Sequence, residues 1–165
     1  MAIEITADSN EDFTVPADIE TVYALLSNVL KSASHFPRVL SIQERDDSIY
    51  EWILEGEKVG PKSFGAEYAC RYRMDSEKKT VHWDAIKGFG NSEVSGYWSF
   101  RKEGSGTAIH FESRITMTFD ISRFLKAIAV PLVKRLNTTL ISSYLGNVKT
   151  TLHGGEGHLR DAVSF

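Results

Sequence analysis

Cysteine occurs once in 165 residues, at Cys70. A lone cysteine excludes an internal disulfide and any zinc site built on thiolates, and it suits a reducing cytoplasm. Basic residues are not in excess: 19 Lys and Arg against 22 Asp and Glu give a formal net charge of -3 and a sequence pI near 6.0. Such a field gives nucleic acid no reason to bind. The amino terminus, MAIEITADSNEDF, has neither the basic nor the apolar region of a secretory signal. No apolar run reaches the length of a membrane span, because the longest is broken by Lys126, Pro131, Lys134 and Arg135. Repeats, low-complexity blocks and interdomain linkers are absent too. The expectation is one soluble cytoplasmic domain over residues 1–152, followed by a flexible tail over 153–165.

What the chain does have is alternation. Residues 2–15 alternate loosely up to Phe13-Thr14-Val15 and read as a first strand. Pro16-Ala17-Asp18 opens a helix with Asp18 as N-cap and Ile19, Val22, Tyr23, Leu25 and Leu26 as its inner stripe; a second short helix covers about Val29 to Phe36. From Val39 the period becomes two. Val39 to Glu44 and Ser48 to Glu55 flank the turn Arg45-Asp46-Asp47, the second putting Tyr50, Trp52 and Leu54 on one side. Phe64, Ala66, Tyr68, Cys70, Tyr72 and Met74 form the clearest face; Val81 and Trp83 follow, then Val94, Gly96, Trp98 and Phe100, then Ile109 to Phe119. Gly88, Gly90 and Gly96 stand where a curved sheet wants bends or bulges.

Ser122 to Leu152 closes the pattern as one long amphipathic helix. Leu125, Ile128, Ala129, Leu132, Val133, Leu136 and Leu140 recur at helical spacing, Asp120 or Ser122 caps the start, Pro131 bends the helix, and Gly154 with Gly155 stops it. Every charged residue between Asp120 and Glu156 is basic: Arg123, Lys126, Lys134, Arg135 and Lys149. Such a face is either solvated or docks on an anionic membrane or an acidic partner, with Lys126, Lys134 and Arg135 as the contacts.

The strand faces divide the chemistry. Glu67, Arg71, Arg73, His82, Asp84, His110, Glu112 and Arg114 fall opposite the aromatics and read as a wet cross-strand ladder, which also demotes the relay-like pair His82 and Asp84. The greasy face keeps only tyrosine and serine hydroxyls, the thiol of Cys70 and indole nitrogens. No inward pair of titratable groups is available for acid–base catalysis. His153 and His158 around Glu156 have a metal-like look but sit in a glycine-rich terminus, so no metal site is expected. Cys70 lacks a basic neighbour on its face and reads as inert.

The stretch Phe13-Thr-Val-Pro-Ala-Asp-Ile-Glu-Thr-Val-Tyr-Ala-Leu-Leu-Ser, then His35-Phe36-Pro37, and Gly104-Ser-Gly-Thr-Ala-Ile-His-Phe-Glu before the last helix resemble the START/Bet v 1-like (SRPBCC) superfamily over about residues 10–152. That group includes polyketide cyclase/dehydrase-like, coenzyme Q-binding and CoxG-like proteins, and Gly56 to Gly65 with Val59-Gly60-Pro61 looks most like the CoxG-like branch. The resemblance implies an α+β helix-grip fold, with a curved antiparallel sheet of about six or seven strands wrapped around the long helix and two short helices after strand one.

It also implies a hydrophobic cavity between the sheet and the long helix; no cofactor is expected. The expected contents are a lipid, quinone, isoprenoid or aromatic polyketide, held between Leu132, Leu136, Leu140 and Tyr144 of the helix and Trp52, Tyr68, Tyr72, Trp83, Trp98, Phe111 and Ser113 of the sheet, with Tyr68, Tyr72 and Ser113 as polar anchors. A cavity of this class runs to several hundred Å³. The rival is a cyclase or dehydratase, whose mark would be Glu67, Arg71 or Glu93 pointing inward.

Overall fold

The computed structural model describes the backbone of residues 2–163 and the side chains of 2–154. The elements are β1 (Ala2–Val15), α1 (Ile19–Leu26), α2 (Val29–Ala33), β2 (Val39–Arg45), β3 (Ile49–Val59), β4 (Lys62–Asp75), β5 (Thr80–Ala85), β6 (Ser92–Glu103), β7 (Gly106–Asp120) and α3 (Arg123–Val163). One antiparallel sheet has the order β1-β7-β6-β5-β4-β3-β2. The sheet therefore meanders from β2 to β7 and takes β1 back onto β7, leaving β1 and β2 as its two edges. The connection between those edges is α1 and α2.

Local chemistry explains the helix starts. Asp18 Oδ1 accepts from Thr21 N at 2.8 Å, Asn28 Oδ1 from Lys31 N at 3.1 Å, and Ser122 Oγ from Leu125 N at 3.2 Å, so each helix has a side chain on one of its free N–H groups. α2 ends at Ala33, earlier than the expected Phe36, which leaves Phe36 free to turn inward. At the other end α3 does not stop at Gly154 and Gly155 but continues to Val163. A helical glycine costs only about 1 kcal/mol, and no proline follows to block the next turn. Glu156 and His158 lie outside the described side chains, and His153 is exposed.

The expected faces hold with local exceptions. Met74 is exposed at the end of β4, while Ala69, on the nominally outer side, is buried where the chain leaving β5 returns, Ile86 N donating to Ala69 O at 3.0 Å. The register breaks lie between Val39 and Ser41 and between Leu54 and Glu57, rather than at Gly88, Gly90 or Gly96. Gly90 (φ +64°) instead turns the chain into β6, and a Cβ there would lie 2.1 Å from Glu67 O. Ile128 leaves the inner stripe of α3 and is 44% exposed.

β5 is short, and β6 meets it only along Gly96–Ser99, so the start of β6 lacks a strand partner on that side. Asn91 fills the gap. Its Oδ1 accepts from Glu67 N at 2.9 Å, its Nδ2 donates to Gly65 O at 2.9 Å, its N donates to Glu67 O at 3.0 Å, and its O accepts from Thr118 N at 2.8 Å. One residue thus stitches β4 to β7 and satisfies backbone groups a split sheet would orphan. Asn91→Ala removes two of these bonds and leaves their backbone partners unmet. A loss of about 2–4 kcal/mol is expected, read as a lower urea midpoint with an unchanged slope.

Candidate functional site

The inner face of the sheet and α3 enclose two adjoining lobes. The first is aromatic, lined by Trp52, Tyr68, Tyr72, Trp83, Trp98, Phe111 and Tyr144, with Leu26, Val29 and Ser32 closing it from α1 and α2, and it encloses about 60 Å³. The second is aliphatic, running under α3 between Leu54, Phe64, Ala66, Ile115 and Met117 of the sheet and Val133, Leu136 and Leu140 of the helix, and it encloses about 70 Å³. Phe36, Tyr68, Val94, Ser113 and Ile141 border both. They form the neck.

These volumes are far below the several hundred Å³ expected, because rings fill the space. Trp98 and Phe111 centroids are 4.6 Å apart, Phe36 and Tyr144 5.0 Å, and Trp52 stacks on Tyr68 at 5.8 Å. Trp83 can lie across β6 only because its partner there is Gly96, where a Cβ would meet the indole at 2.7 Å.

Polar atoms of the aromatic lobe are few and neutral, while Glu55, exposed, borders the aliphatic lobe. Ser32 Oγ hydrogen-bonds the Tyr144 hydroxyl, tying α2 to α3. Just beyond, His35 accepts from Thr151 Oγ1 at Nε2 (2.8 Å) and donates from Nδ1 to the Lys31 carbonyl (2.9 Å), while Asn147 Nδ2 donates to His35 O at 2.9 Å. The Trp52 indole N–H, in a side chain 6% exposed, has no hydrogen-bond partner among the described residues; Tyr72 approaches it without hydrogen-bond geometry. Burial raises the Tyr68 and Tyr72 phenols well above their ordinary range, and it pushes Tyr144 up to about 12 against the opposing bond from Ser32. Near neutral pH these groups are donors of hydrogen bonds, not bases. Cys70, fully buried, donates from Sγ to Val94 O at 3.2 Å, and burial pushes its thiol up to about 12.

Those shifts carry a sign for stability. Below pH ~10 the three phenols are neutral folded or unfolded; above it the unfolded chain ionises first, so stability falls as pH rises toward the folded values. The tyrosinate absorbance of these three rings should therefore appear together with loss of near-ultraviolet circular dichroism. Tyrosinate growth that completes while the fold persists would contradict the burial.

The outer face carries the ionic ladder. Arg73 pairs with Asp84 at 2.8 Å, Arg114 with Asp8 at 2.6 Å, and His110 lies 2.7 Å from Asp12 and 3.0 Å from Glu112, which raise its imidazole pKa. His82 stacks on Tyr97 instead of meeting Asp84 in a relay. Glu67, Arg71 and Glu93 are exposed. None of the three marks of the cyclase alternative points inward.

Comparison with known proteins separates fold from family. No family model and no curated protein matches the sequence. Solved structures do. A START superfamily protein from Mycobacterium smegmatis matches at a TM-score of 0.62 and 10% identity, over 88% of this chain and 96% of that one. The Thermus thermophilus protein TTHA0849 matches at 0.60 and 18% identity, over 89% and 94%. The ZhuI aromatase/cyclase from Streptomyces sp. R1128 matches at 0.57 and 15%, over 92% and 98%. The chain has the helix-grip fold.

Within that helix grip the expected residues fall as follows. Trp52, Tyr68, Tyr72, Trp83, Trp98, Phe111 and Tyr144 line the aromatic lobe, Leu136 and Leu140 the aliphatic lobe, and Ser113 the neck. Leu132 packs against the core but borders neither lobe. Missed were Ser32, on the inner face of α2, Phe36, which the early end of α2 turns inward, and Asn137 and Glu55 at the aliphatic lobe. Ser32 sits three residues after buried Val29 on the same helical face, and that spacing was the available signal.

Proposed function

We propose that this protein binds and carries a hydrophobic small molecule that pairs a flat, acceptor-bearing ring system with an aliphatic portion. The observation that supports this most is the division of one apolar interior into an aromatic lobe and an aliphatic lobe joined at Ser113. A prenylated quinone combines both parts in one molecule; an aromatic polyketide supplies the ring system, and a lipid or isoprenoid the aliphatic portion. The neutral hydroxyls of Tyr68, Tyr72 and Ser113 and the partnerless Trp52 N–H serve as orienting donors, since a buried donor gains most from a ligand that satisfies it.

Admission of such a molecule requires the interior to widen. The segment that moves is α2 with Phe36, a five-residue helix held to α3 by the Ser32–Tyr144, His35–Thr151 and Asn147–His35 bonds. Native mass spectrometry of the protein from its own host, followed by organic extraction, tests the reading: a stoichiometric hydrophobic molecule is expected. An empty protein that also fails to bind 1-aminoanthracene would overturn it.

A second reading, a cyclase or dehydratase, draws on the likeness to the aromatase/cyclase fold. In it the tyrosine hydroxyls steer a reactive chain. Exposure of Glu67, Arg71 and Glu93 favours the carrier, and product formed from an aromatic polyketide precursor would favour the enzyme.

A further inference from the structure

We infer that the first half of α3 is a membrane-docking surface for anionic lipid. Phe124 is 78% exposed and Ile128 44%, and with Pro131 and Arg135, both exposed, they recur at four-, three- and four-residue spacing along one outward row. A phenyl ring left in water on a helix is apolar surface without a partner. The opposite face of the same turns is apolar as well, since Val133, Leu136 and Leu140 roof the aliphatic lobe. This half of the helix is therefore greasy on two sides, one turned to the core and one to solvent.

Charge identifies the occupant. Arg123 and Lys134, both exposed, flank the row on one side, exposed Arg135 lies in it, and Lys126 projects from the far side; no Asp or Glu occurs on α3 before Glu156, although the chain as a whole carries -3. Asp8 of β1 lies near Lys134 but is already paired with Arg114, so an apolar ridge flanked on its own helix by cations alone matches an interface that accepts a ring among acyl chains and offers negative headgroups beside it. No helix among the described residues is long and apolar enough to cross a membrane, so the contact lies at the surface. Docking brings the aliphatic lobe to within one helix diameter, about 10 Å, of the lipid. The inference stands apart from the identity of whatever the cavity holds.

The full-length protein is floated with vesicles of phosphatidylcholine alone and of equal parts phosphatidylcholine and phosphatidylglycerol. Binding to the anionic vesicles, weakened by salt, is expected. Lys134→Glu with Arg135→Glu should lower it by at least about tenfold, and Phe124→Ser should lower it with circular dichroism unchanged, as its exposure requires. Absence of binding to anionic vesicles, or binding that neither variant changes, overturns the inference. A dimer in sedimentation that Phe124→Ser dissolves, without flotation, also overturns it and gives the ridge to a second copy.

Discussion

Replacing Trp98 with alanine is expected to cost about 3–5 kcal/mol, the range for truncating a buried large aromatic. That is a large part of the ~5–15 kcal/mol that holds a typical domain together. Trp98 is 2% exposed and touches Phe13 of β1, Phe100 of its own strand, Phe111 of β7 and Tyr144 of α3, with centroids 6.5, 6.1, 4.6 and 6.0 Å away. Its removal loosens the edge strand and the long helix together. From the sequence alone, loss of Trp98 should harm binding more than the fold. Its contacts on every side reverse that order, because a ring clasped by four others is a keystone before it is a wall. Urea titration of Trp98→Ala beside Trp98→Phe decides the matter: the alanine variant should be largely unfolded or sharply destabilised, and phenylalanine should recover more than half of the loss. An alanine variant that keeps its stability while losing 1-aminoanthracene would make Trp98 a soft pocket wall instead.

The order of elements was legible because period-two alternation is strong from Val39 to Phe119 and the inner set is rich in aromatics, so the inner face declares itself. The same alternation places Tyr68, Tyr72, Trp83 and Phe111 around the cavity. Three features were not readable, each for a physical reason. Asn91 looks like a loop residue; its role exists only because β5 is too short to pair with the start of β6, a fact of register. Gly154 and Gly155 look like a stop, but a propensity of about 1 kcal/mol per glycine is a weak prior against continuation. Ile128 fits the spacing of the inner stripe from Leu125 to Leu140, yet it sits at the margin of that face, where periodicity does not say which side is covered. The narrowness of the cavity belongs to the same class, since alternation states which rings face inward and not how closely they interleave.

Ser113→Phe is expected to weaken binding about a hundredfold while sparing the fold, and it is the sharpest test of the two-lobe site. Ser113 pairs with Gly96 on β6 and Ser9 on β1, and its hydroxyl lies where the aromatic and aliphatic lobes meet. A phenyl ring there occupies the neck, so a ligand can use one lobe but not both. Overpacking of this kind costs about 1–3 kcal/mol in stability, less than the Trp98 truncation. Binding loses the contact of about one buried ring, about 2–3 kcal/mol, which is about a hundredfold in affinity. Ser113→Ala separates blockage from loss of the hydroxyl: it keeps the passage open and gives up one hydrogen bond, about 1 kcal/mol and so less than tenfold. Titration of 1-aminoanthracene by fluorescence on both variants reads the difference. Wild-type affinity in Ser113→Phe would mean that the probe does not span the neck, and the two lobes would then not act as one site.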